Sequence, residues 1–145
     1  MLVEIYTDGS CMPNPGNGGW AAILICGDKR KEILGGQLDT TNNRMEINAV
    51  IEGLLVLKKP CVVKIYTDSQ YVINGATKWI MGWEKNKWKN KEGKEIKNSD
   101  LWKKLMEISF SHKIEFEWVR AHNGHPINEA VDQLAKDGIK LASKF

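Results

Sequence analysis

The chain has 145 residues, of which 42% are hydrophobic and 27% are charged. These are ordinary values for a globular protein, and they exclude a disordered, collagen-like or coiled-coil chain. We therefore expect one domain spanning residues 1–145. No apolar run reaches the roughly 20 residues of a membrane helix, and the N-terminus lacks the features of a signal peptide. The three cysteines match no zinc-binding spacing. These features predict a cytoplasmic protein with reduced thiols.

The net charge is only +3, but the positive charge is unevenly distributed along the chain. The stretch from Lys78 to Lys104 contains nine lysines and four acidic residues. We call residues 76–98 the basic segment and expect them to form a basic protrusion. Lysines concentrated in this way favour contact with a polyanion, whereas the net charge alone would not.

The first third of the chain predicts three strands. Residues 2–8 alternate between two faces, and residues 20–26 and 32–38 are two further extended stretches separated by a turn signal. The glycine-, proline- and asparagine-rich stretch at residues 9–19 predicts that the first strand stops at Asp8. Together the three strands predict an antiparallel meander.

The rest of the chain alternates between helical and extended patterns. Apolar residues recur at helical spacing from about residue 43 to residue 57. The elements predicted after that helix are a strand at 62–67, helices at 69–73, 76–88 and 98–110, a strand at 113–119 and a final helix at 126–142. With the two pieces at 69–73 and 76–88 counted as one helical region, the order is βββαβααβα, which predicts an α/β fold in which a mixed five-stranded sheet carries helices on both faces.

A four-residue sequence, Ile-Tyr-Thr-Asp, occurs at residues 5–8 and again at residues 65–68. A helical crossover between the two strands makes them parallel neighbours. Asp8 and Asp68 then point the same way, with their backbones about 4.8 Å apart. Two carboxylates so close repel each other, and one must take up a proton unless a cation lies between them.

Two further acidic residues lie on predicted helices. Glu46 extends the buried stripe of the first helix, and Asp132 flanks the apolar stripe of the last helix. Each of these acids on its own also fits ordinary turn or helix-dipole chemistry. Taken together, clustered carboxylates without paired cysteines or histidines predict a site for a hard cation, Mg²⁺ or Mn²⁺, rather than zinc.

Four segments carry a resemblance to a known family. They are Tyr-Thr-Asp-Gly-Ser at 6–10, Thr-Asn-Asn-Arg-Met-Glu at 41–46, Tyr-Thr-Asp-Ser-Gln at 66–70 and His-Asn-Gly-His-Pro-Ile-Asn-Glu at 122–129. Their order and spacing resemble those of type 1 ribonuclease H of the bacterial kind over essentially the whole chain. The resemblance implies the ribonuclease H-like fold and hydrolysis of the RNA strand of RNA–DNA hybrids, leaving 5′-phosphate and 3′-hydroxyl ends.

The resemblance also implies roles for individual residues. Asp8, Glu46, Asp68 and Asp132 are expected to ligate two Mg²⁺ ions when substrate is bound, with Mn²⁺ as a substitute. His122 is expected to transfer a proton or to help product release, and its near-neutral pKa suits that role.

A hybrid duplex is expected to be recognised by short polar groups near the carboxylates and by the basic segment. Asparagine and glutamine side chains suit the 2′-hydroxyls of the wide minor groove, and lysines suit phosphates. At Gly82 and Glu84 the chain departs from the better-known family pattern, which predicts a weaker or differently placed grip on the DNA strand. The expected substrate contacts are Cys11, Asn14, Asn42, Asn43, Gln70, Trp79, Lys85, Lys87 and Lys89.

Two other functions are compatible with these patterns. A strand-transfer or junction-resolving nuclease would keep the fold and the metal ions, but 145 residues leave no room for a separate targeting domain. A non-enzymatic hybrid-binding module has no use for four converging acids, which would repel phosphate. The expected partner is therefore an RNA–DNA hybrid, with no membrane and no obligate protein partner, and the expected state is a monomer.

Overall fold

The computed structural model describes residues 2–120 and 124–142. Within them the chain forms five strands, five α-helices and one π-helical segment. The strands are β1 (Leu2–Cys11), β2 (Gly16–Cys26), β3 (Lys29–Thr40), β4 (Val62–Thr67) and β5 (Lys113–Trp118). The helices are α1 (Asn42–Leu55), α2 (Gln70–Asn74), the π-helical segment (Gly75–Trp79), α3 (Ile80–Lys85), α4 (Ser99–Ser109) and α5 (Pro126–Ala142).

The strands form one mixed sheet in the order β3-β2-β1-β4-β5. Strands β1, β2 and β3 pair antiparallel, which confirms the predicted meander. Strand β4 lies parallel to β1, with Ile5 opposite Ile65 and Tyr6 opposite Tyr66, and β5 lies parallel to β4. The two copies of the repeated sequence are therefore neighbours in register, as the sequence predicted.

Helices cover both faces of the sheet, so a hydrophobic core lies on each face. Successive side chains of β1 point alternately into these two cores. Val3 and Ile5 pack with residues of α1 and α4, including Trp102. Tyr6, on the opposite face, packs with Val131 and other residues of α5. The predicted mixed five-stranded sheet with helices on both faces is therefore confirmed.

The first two strands are longer than predicted. Strand β1 continues through Gly9 to Cys11, and β2 already begins at Gly16. The predicted stop at Asp8 is wrong because the glycine-rich stretch pairs across the hairpin, with Ser10 opposite Gly19. Asp8 therefore lies inside a strand, where it pairs with Ala21 of β2.

The helices after β4 also differ from the prediction. The two pieces expected at 69–73 and 76–88 form one continuous run through α2, the π-helical segment and α3, which ends at Lys85. A side chain at Gly75 would collide with the ring of Trp102. Glycine therefore allows this run to pack closely on α4.

Candidate active site

The carboxylate cluster consists of Asp8, Glu46 and Asp68. One carboxylate oxygen from each residue lies within 4.8 Å of the other two. Asp8 comes from the middle of β1, and Asp68 directly follows the end of the parallel neighbour β4. Ligand sites in α/β sheets characteristically form at the carboxyl ends of parallel strands. The expectation that these three acids meet beside the sheet is confirmed.

Glycine at position 9 brings Glu46 to the strand. A side chain on Gly9 would overlap the backbone of Met45 and Glu46, so only glycine allows α1 to approach β1 this closely. The Gly9 amide donates a hydrogen bond to Oε1 of Glu46. The helix itself is fixed by Thr41, whose hydroxyl accepts a hydrogen bond from the Arg44 amide at 3.2 Å. These local contacts place the buried carboxyl group of Glu46 beside those of Asp8 and Asp68.

The cluster is electrostatically strained without a cation. Asp8 is 7% exposed and Glu46 is 9% exposed. Burial, and next the charge of Asp68, raise the pKa of Asp8 to about 8. Burial, and next the charge of Asp8, raise the pKa of Glu46 well above its ordinary value. Buried oxygen ligands that repel one another in this way fit a hard divalent cation, because its charge would remove the repulsion.

Asp132 lies beside this cluster on α5. It lines a cleft of about 20 Å³ together with Asp8 and Asp68, and a hydrogen bond and the charge of Asp132 contribute to the raised pKa of Asp8. Its Oδ2 lies 3.1 Å from Nζ of Lys136, one turn along the helix. Among the described residues the tight group contains only three acids, so Asp132 is an adjacent carboxylate rather than a member of that group.

The cleft includes residues that the sequence interpretation did not select. Arg120 lies just beyond β5, and Asn128 and Glu129 lie in the first turn of α5. Trp118 donates from Nε1 to the backbone oxygen of Asp68 at 3.3 Å. The sequence held a signal for Arg120, because it follows the carboxyl end of a parallel strand as Asp68 does.

Two predicted substrate contacts have clear local roles in the structure. The Oδ1 atom of Asn14 accepts a hydrogen bond from the Asn42 amide at 3.2 Å, which joins the loop after β1 to the start of α1. The thiol of Cys11 is buried and donates toward the backbone oxygens of Pro13 and Thr40, both at 3.3 Å. The Cys11 side chain is therefore held inside the protein rather than presented to a hybrid.

The remaining predicted contacts are exposed side chains. Asn43 lies in the first turn of α1, three residues before Glu46, and Gln70 begins α2, two residues after Asp68. On the basic segment Lys85, Lys87 and Lys89 are exposed, and Trp79 is 39% exposed. His122 lies outside the described residues.

The tryptophans of the basic segment form a connected group of rings. Trp83 lies 5.8 Å from Trp79, 6.5 Å from Trp88 and 5.6 Å from the buried ring of Trp102 in α4, measured between ring centroids. Nζ of Lys103 lies 5.7 Å from the Trp88 ring. These contacts anchor the basic segment to the core and leave its lysines facing outward.

A family model and the curated relatives of this chain point to the same protein family. A family model described as RNase H matches residues 2–140. The chain is 53% identical over 138 residues to a ribonuclease H of Cupriavidus necator, covering 95% of each chain. It is 52% identical over 141 residues to a ribonuclease HI of Caulobacter vibrioides, covering 97% of this chain and 95% of the relative.

A solved structure is similar over nearly the whole chain. It is LC9-RNase H1, a type 1 RNase H with the type 2 active-site motif. The two share 33% sequence identity with a TM-score of 0.86, and the similarity covers 96% of this chain and 72% of the other. The ribonuclease H-like fold predicted from the sequence is therefore confirmed. Within residues 2–120 and 124–142, no helix has both the length and the apolar character needed to cross a membrane.

Proposed function

The chain belongs to the ribonuclease H family and is a hydrolase that cleaves the RNA strand of RNA–DNA hybrids, and we propose that it does so with two Mg²⁺ ions held by Asp8, Glu46, Asp68 and Asp132. The observation that carries this proposal is the convergence of three carboxylates within 4.8 Å. Four carboxylates carry a charge of −4, which two divalent cations would balance. Mn²⁺ has the same preference for oxygen ligands and is proposed as a substitute.

The carboxylates of the cluster would hold the metal ions and so orient the reacting groups. Bound ions of this kind supply a water of lowered pKa as the nucleophile and stabilise the departing 3′-oxygen. Asp8 interacts with each of the other three acids, Glu46, Asp68 and Asp132, through charge or a hydrogen bond. The rigid strand backbone at Asp8 keeps its carboxylate in place while the phosphate enters. Hydrolysis by this route leaves 5′-phosphate and 3′-hydroxyl ends.

His122 is proposed to move a proton at the leaving 3′-oxygen or to assist release of the product. The support for this role is the near-neutral pKa of an imidazole and the position of His122 in sequence, between β5 and α5. The cleft is bordered by Arg120, which lies just beyond β5, and by Asn128 and Asp132 of α5.

Recognition of the hybrid is proposed to use two surfaces. The first surface lies on or next to the elements that carry the carboxylates, where short polar groups can reach 2′-hydroxyls in a wide minor groove. It consists of Asn14, Asn42, Asn43, Gln70 and the backbone at Cys11. The exposed lysines Lys85, Lys87 and Lys89, with Trp79, are proposed to contact the DNA backbone. The proposed partner is therefore an RNA–DNA hybrid.

We also propose that the protein is a single catalytic domain that works as a monomer in the cytoplasm, with residues 76–98 as a basic protrusion. All three cysteines are free thiols, which suits a reducing compartment. The three acids of the carboxylate cluster come from one chain, so the cluster requires no second copy.

The decisive experiment compares four labelled nucleic acids with the purified protein. RNA–DNA hybrid, RNA–RNA, DNA–DNA and a four-way junction are each incubated with Mg²⁺, with Mn²⁺ and with a chelator, and the product ends are identified. We expect cleavage of the RNA of the hybrid alone, which stops on chelation and leaves 5′-phosphates. Cleavage of DNA–DNA or of the junction at a comparable rate, or hydrolysis that persists in the chelator, would contradict the proposal.

A further inference from the structure

Three aromatic rings make consecutive contacts beside the carboxylate cluster. The ring of Tyr6 stacks on that of Tyr66, with centroids 4.4 Å apart and planes 6° from parallel. The ring of His125 lies 5.9 Å from that of Tyr6, with planes 20° from parallel. We call Tyr6, Tyr66 and His125 the aromatic stack.

The aromatic stack occupies a defined position relative to the carboxylates. Tyr6 precedes Asp8 by two residues within β1, so the two share a sheet face. Tyr66 likewise precedes by two residues Asp68, which directly follows β4. The pairing of β1 with β4 runs from Leu2–Val62 to Tyr6–Tyr66. The two stacked rings thus come from the last paired residues before the point where the two acids meet.

This position matters because the strands must hold two groups that repel each other. Carboxylate oxygens of Asp8 and Asp68 lie within 4.8 Å of each other, so repulsion between them acts to separate the two strands just beyond their last paired residues. Stacked aromatic rings attract each other. Each ring is also rigid, because a tyrosine side chain has few rotatable bonds. The ring of Tyr66 is further fixed by its hydroxyl, which donates to Oε2 of Glu4 at 2.7 Å.

The third ring connects the strand pair to α5. His125 precedes Pro126, the first residue of that helix. The His125 carbonyl accepts a hydrogen bond from the Glu129 amide at 3.0 Å, and its Nδ1 accepts one from the Asn128 amide at 3.5 Å. Tyr6 also packs against Val131, the neighbour of Asp132. Contacts of the aromatic stack therefore locate the start of the helix that carries the fourth acid.

We propose that Tyr6, Tyr66 and His125 are positioning residues that set the spacing of Asp8 and Asp68 and hold the helix of Asp132 against them. None of the three is assigned a contact with the reacting atoms. The proposal rests on the proposed function, because the spacing matters through the metal ions that the carboxylates hold.

Two substitutions at Tyr66 test the contribution of its flat ring separately from that of its hydroxyl group. Tyr66→Phe keeps a ring that can stack on Tyr6, whereas Tyr66→Leu keeps apolar bulk but removes the flat surface. Outer residues that orient metal ligands typically change metal affinity by about 10–100-fold when replaced. Tyr66→Leu is therefore expected to weaken metal binding about tenfold and to lower kcat, while Tyr66→Phe stays within about twofold of the parent protein.

The matched control is Val63→Ala. Val63 lies in the same strand, is 1% exposed and packs in the core on the other face. It therefore destabilises the fold without touching the aromatic stack. For all variants we would measure Mn²⁺ binding by calorimetry without substrate, thermal stability, and kcat and KM for the hybrid with saturating metal.

The expected pattern is weaker Mn²⁺ binding and a lower kcat for Tyr66→Leu, with KM unchanged because the lysines of the basic segment are untouched. Val63→Ala should bind Mn²⁺ like the parent protein despite its lower stability. The proposal is overturned if Tyr66→Leu binds Mn²⁺ like the parent protein, or if both variants lose affinity in proportion to their loss of stability.

His125 is exposed, so variants at this position should fold even if Tyr66→Leu does not. His125→Phe keeps an aromatic ring, and His125→Asn keeps a side chain that can cap α5. The proposal predicts that kcat is retained by His125→Phe and lowered by His125→Asn. If kcat were instead retained by His125→Asn and lowered by His125→Phe, His125 would act by capping α5 and not through the aromatic stack.

The parent protein and Asp8→Asn distinguish a failure of this proposal from a failure of the proposed function. If the parent protein neither cleaves the hybrid nor loses Mn²⁺ affinity on Asp8→Asn, the proposed function is wrong. If those two results are as expected but the Tyr66 and His125 series is flat, only the positioning role is wrong.

Discussion

At the sheet, Asp8 and Glu46 are less than a tenth exposed and their carboxylates lie within 4.8 Å of that of Asp68. On the basic segment, Lys85, Lys87 and Lys89 are exposed. Burial makes the carboxylate cluster sensitive to geometry and to protonation, because unscreened charges interact strongly. Exposure makes the lysines interchangeable positive charges whose effect depends on salt. The two regions should therefore fail in different ways when they are altered.

The largest effect is expected from Asp8→Asn. Removing one charge from the centre of the cluster should lower hybrid cleavage by at least about 10³-fold, because the amide cannot replace an ionised metal ligand. In a chelator at pH 8 the variant should melt at the same or a higher temperature than the parent protein, since repulsion with Asp68 is relieved. Steady-state cleavage assays and thermal melts check both statements.

Asp28→Asn is the matched control for this substitution, because Asp28 is exposed in the turn between β2 and β3. It should leave cleavage and melting unchanged. If Asp8→Asn retained more than a few per cent of the activity, Asp8 would have no place in the mechanism.

An intermediate effect is expected from pH in the absence of metal. The pKa of Asp8 rises from an ordinary 3.8 to about 8 on folding, so between these values the folded protein binds more protons than the unfolded chain. The free energy of unfolding should then fall as pH rises through this window, with Asp8 contributing at most about 1.4 kcal/mol per pH unit. Chemical denaturation in a chelator at pH 5, 6.5 and 8 measures this trend.

Two comparisons sharpen the pH result. Saturating Mg²⁺ should abolish the fall, because the cation favours the ionised carboxylates, and Asp8→Asn should reduce it without metal. The lowered pKa of Asp100, caused first by its hydrogen bond with Arg44, acts below this window and does not interfere. A stability that rises from pH 5 to pH 8 in the chelator would contradict the assigned electrostatics.

The smallest effect is expected from the lysines. The triple change Lys85→Gln, Lys87→Gln and Lys89→Gln should raise KM for the hybrid about fivefold and leave kcat within about twofold, because it removes phosphate contacts outside the cleft. The dependence of KM on salt concentration should become shallower for the same reason. Kinetic assays at several salt concentrations separate these parameters.

The matched control removes three exposed charges at the opposite end of the strands, with Lys29→Gln, Lys31→Gln and Lys59→Gln. This control has the same net charge as the variant at Lys85, Lys87 and Lys89. Any difference in KM between the two therefore reports where the removed charges lie. If both triple variants changed KM equally, the basic segment would have no specific contact with the hybrid.

The sequence by itself determined the order of the elements, the parallel pairing of the two Ile-Tyr-Thr-Asp copies and the meeting of Asp8, Glu46 and Asp68. Alternation, helical spacing and the crossover rule are local or topological constraints, so they can be read without coordinates. Only the tertiary structure decided that β1 continues through Gly9, since the glycines are ordered by pairing with β2. Likewise, the burial of the Cys11 thiol and the stacking of His125 on Tyr6 depend on side-chain packing between distant segments. Packing of this kind is set by the sum of many contacts, which no short stretch of residues encodes.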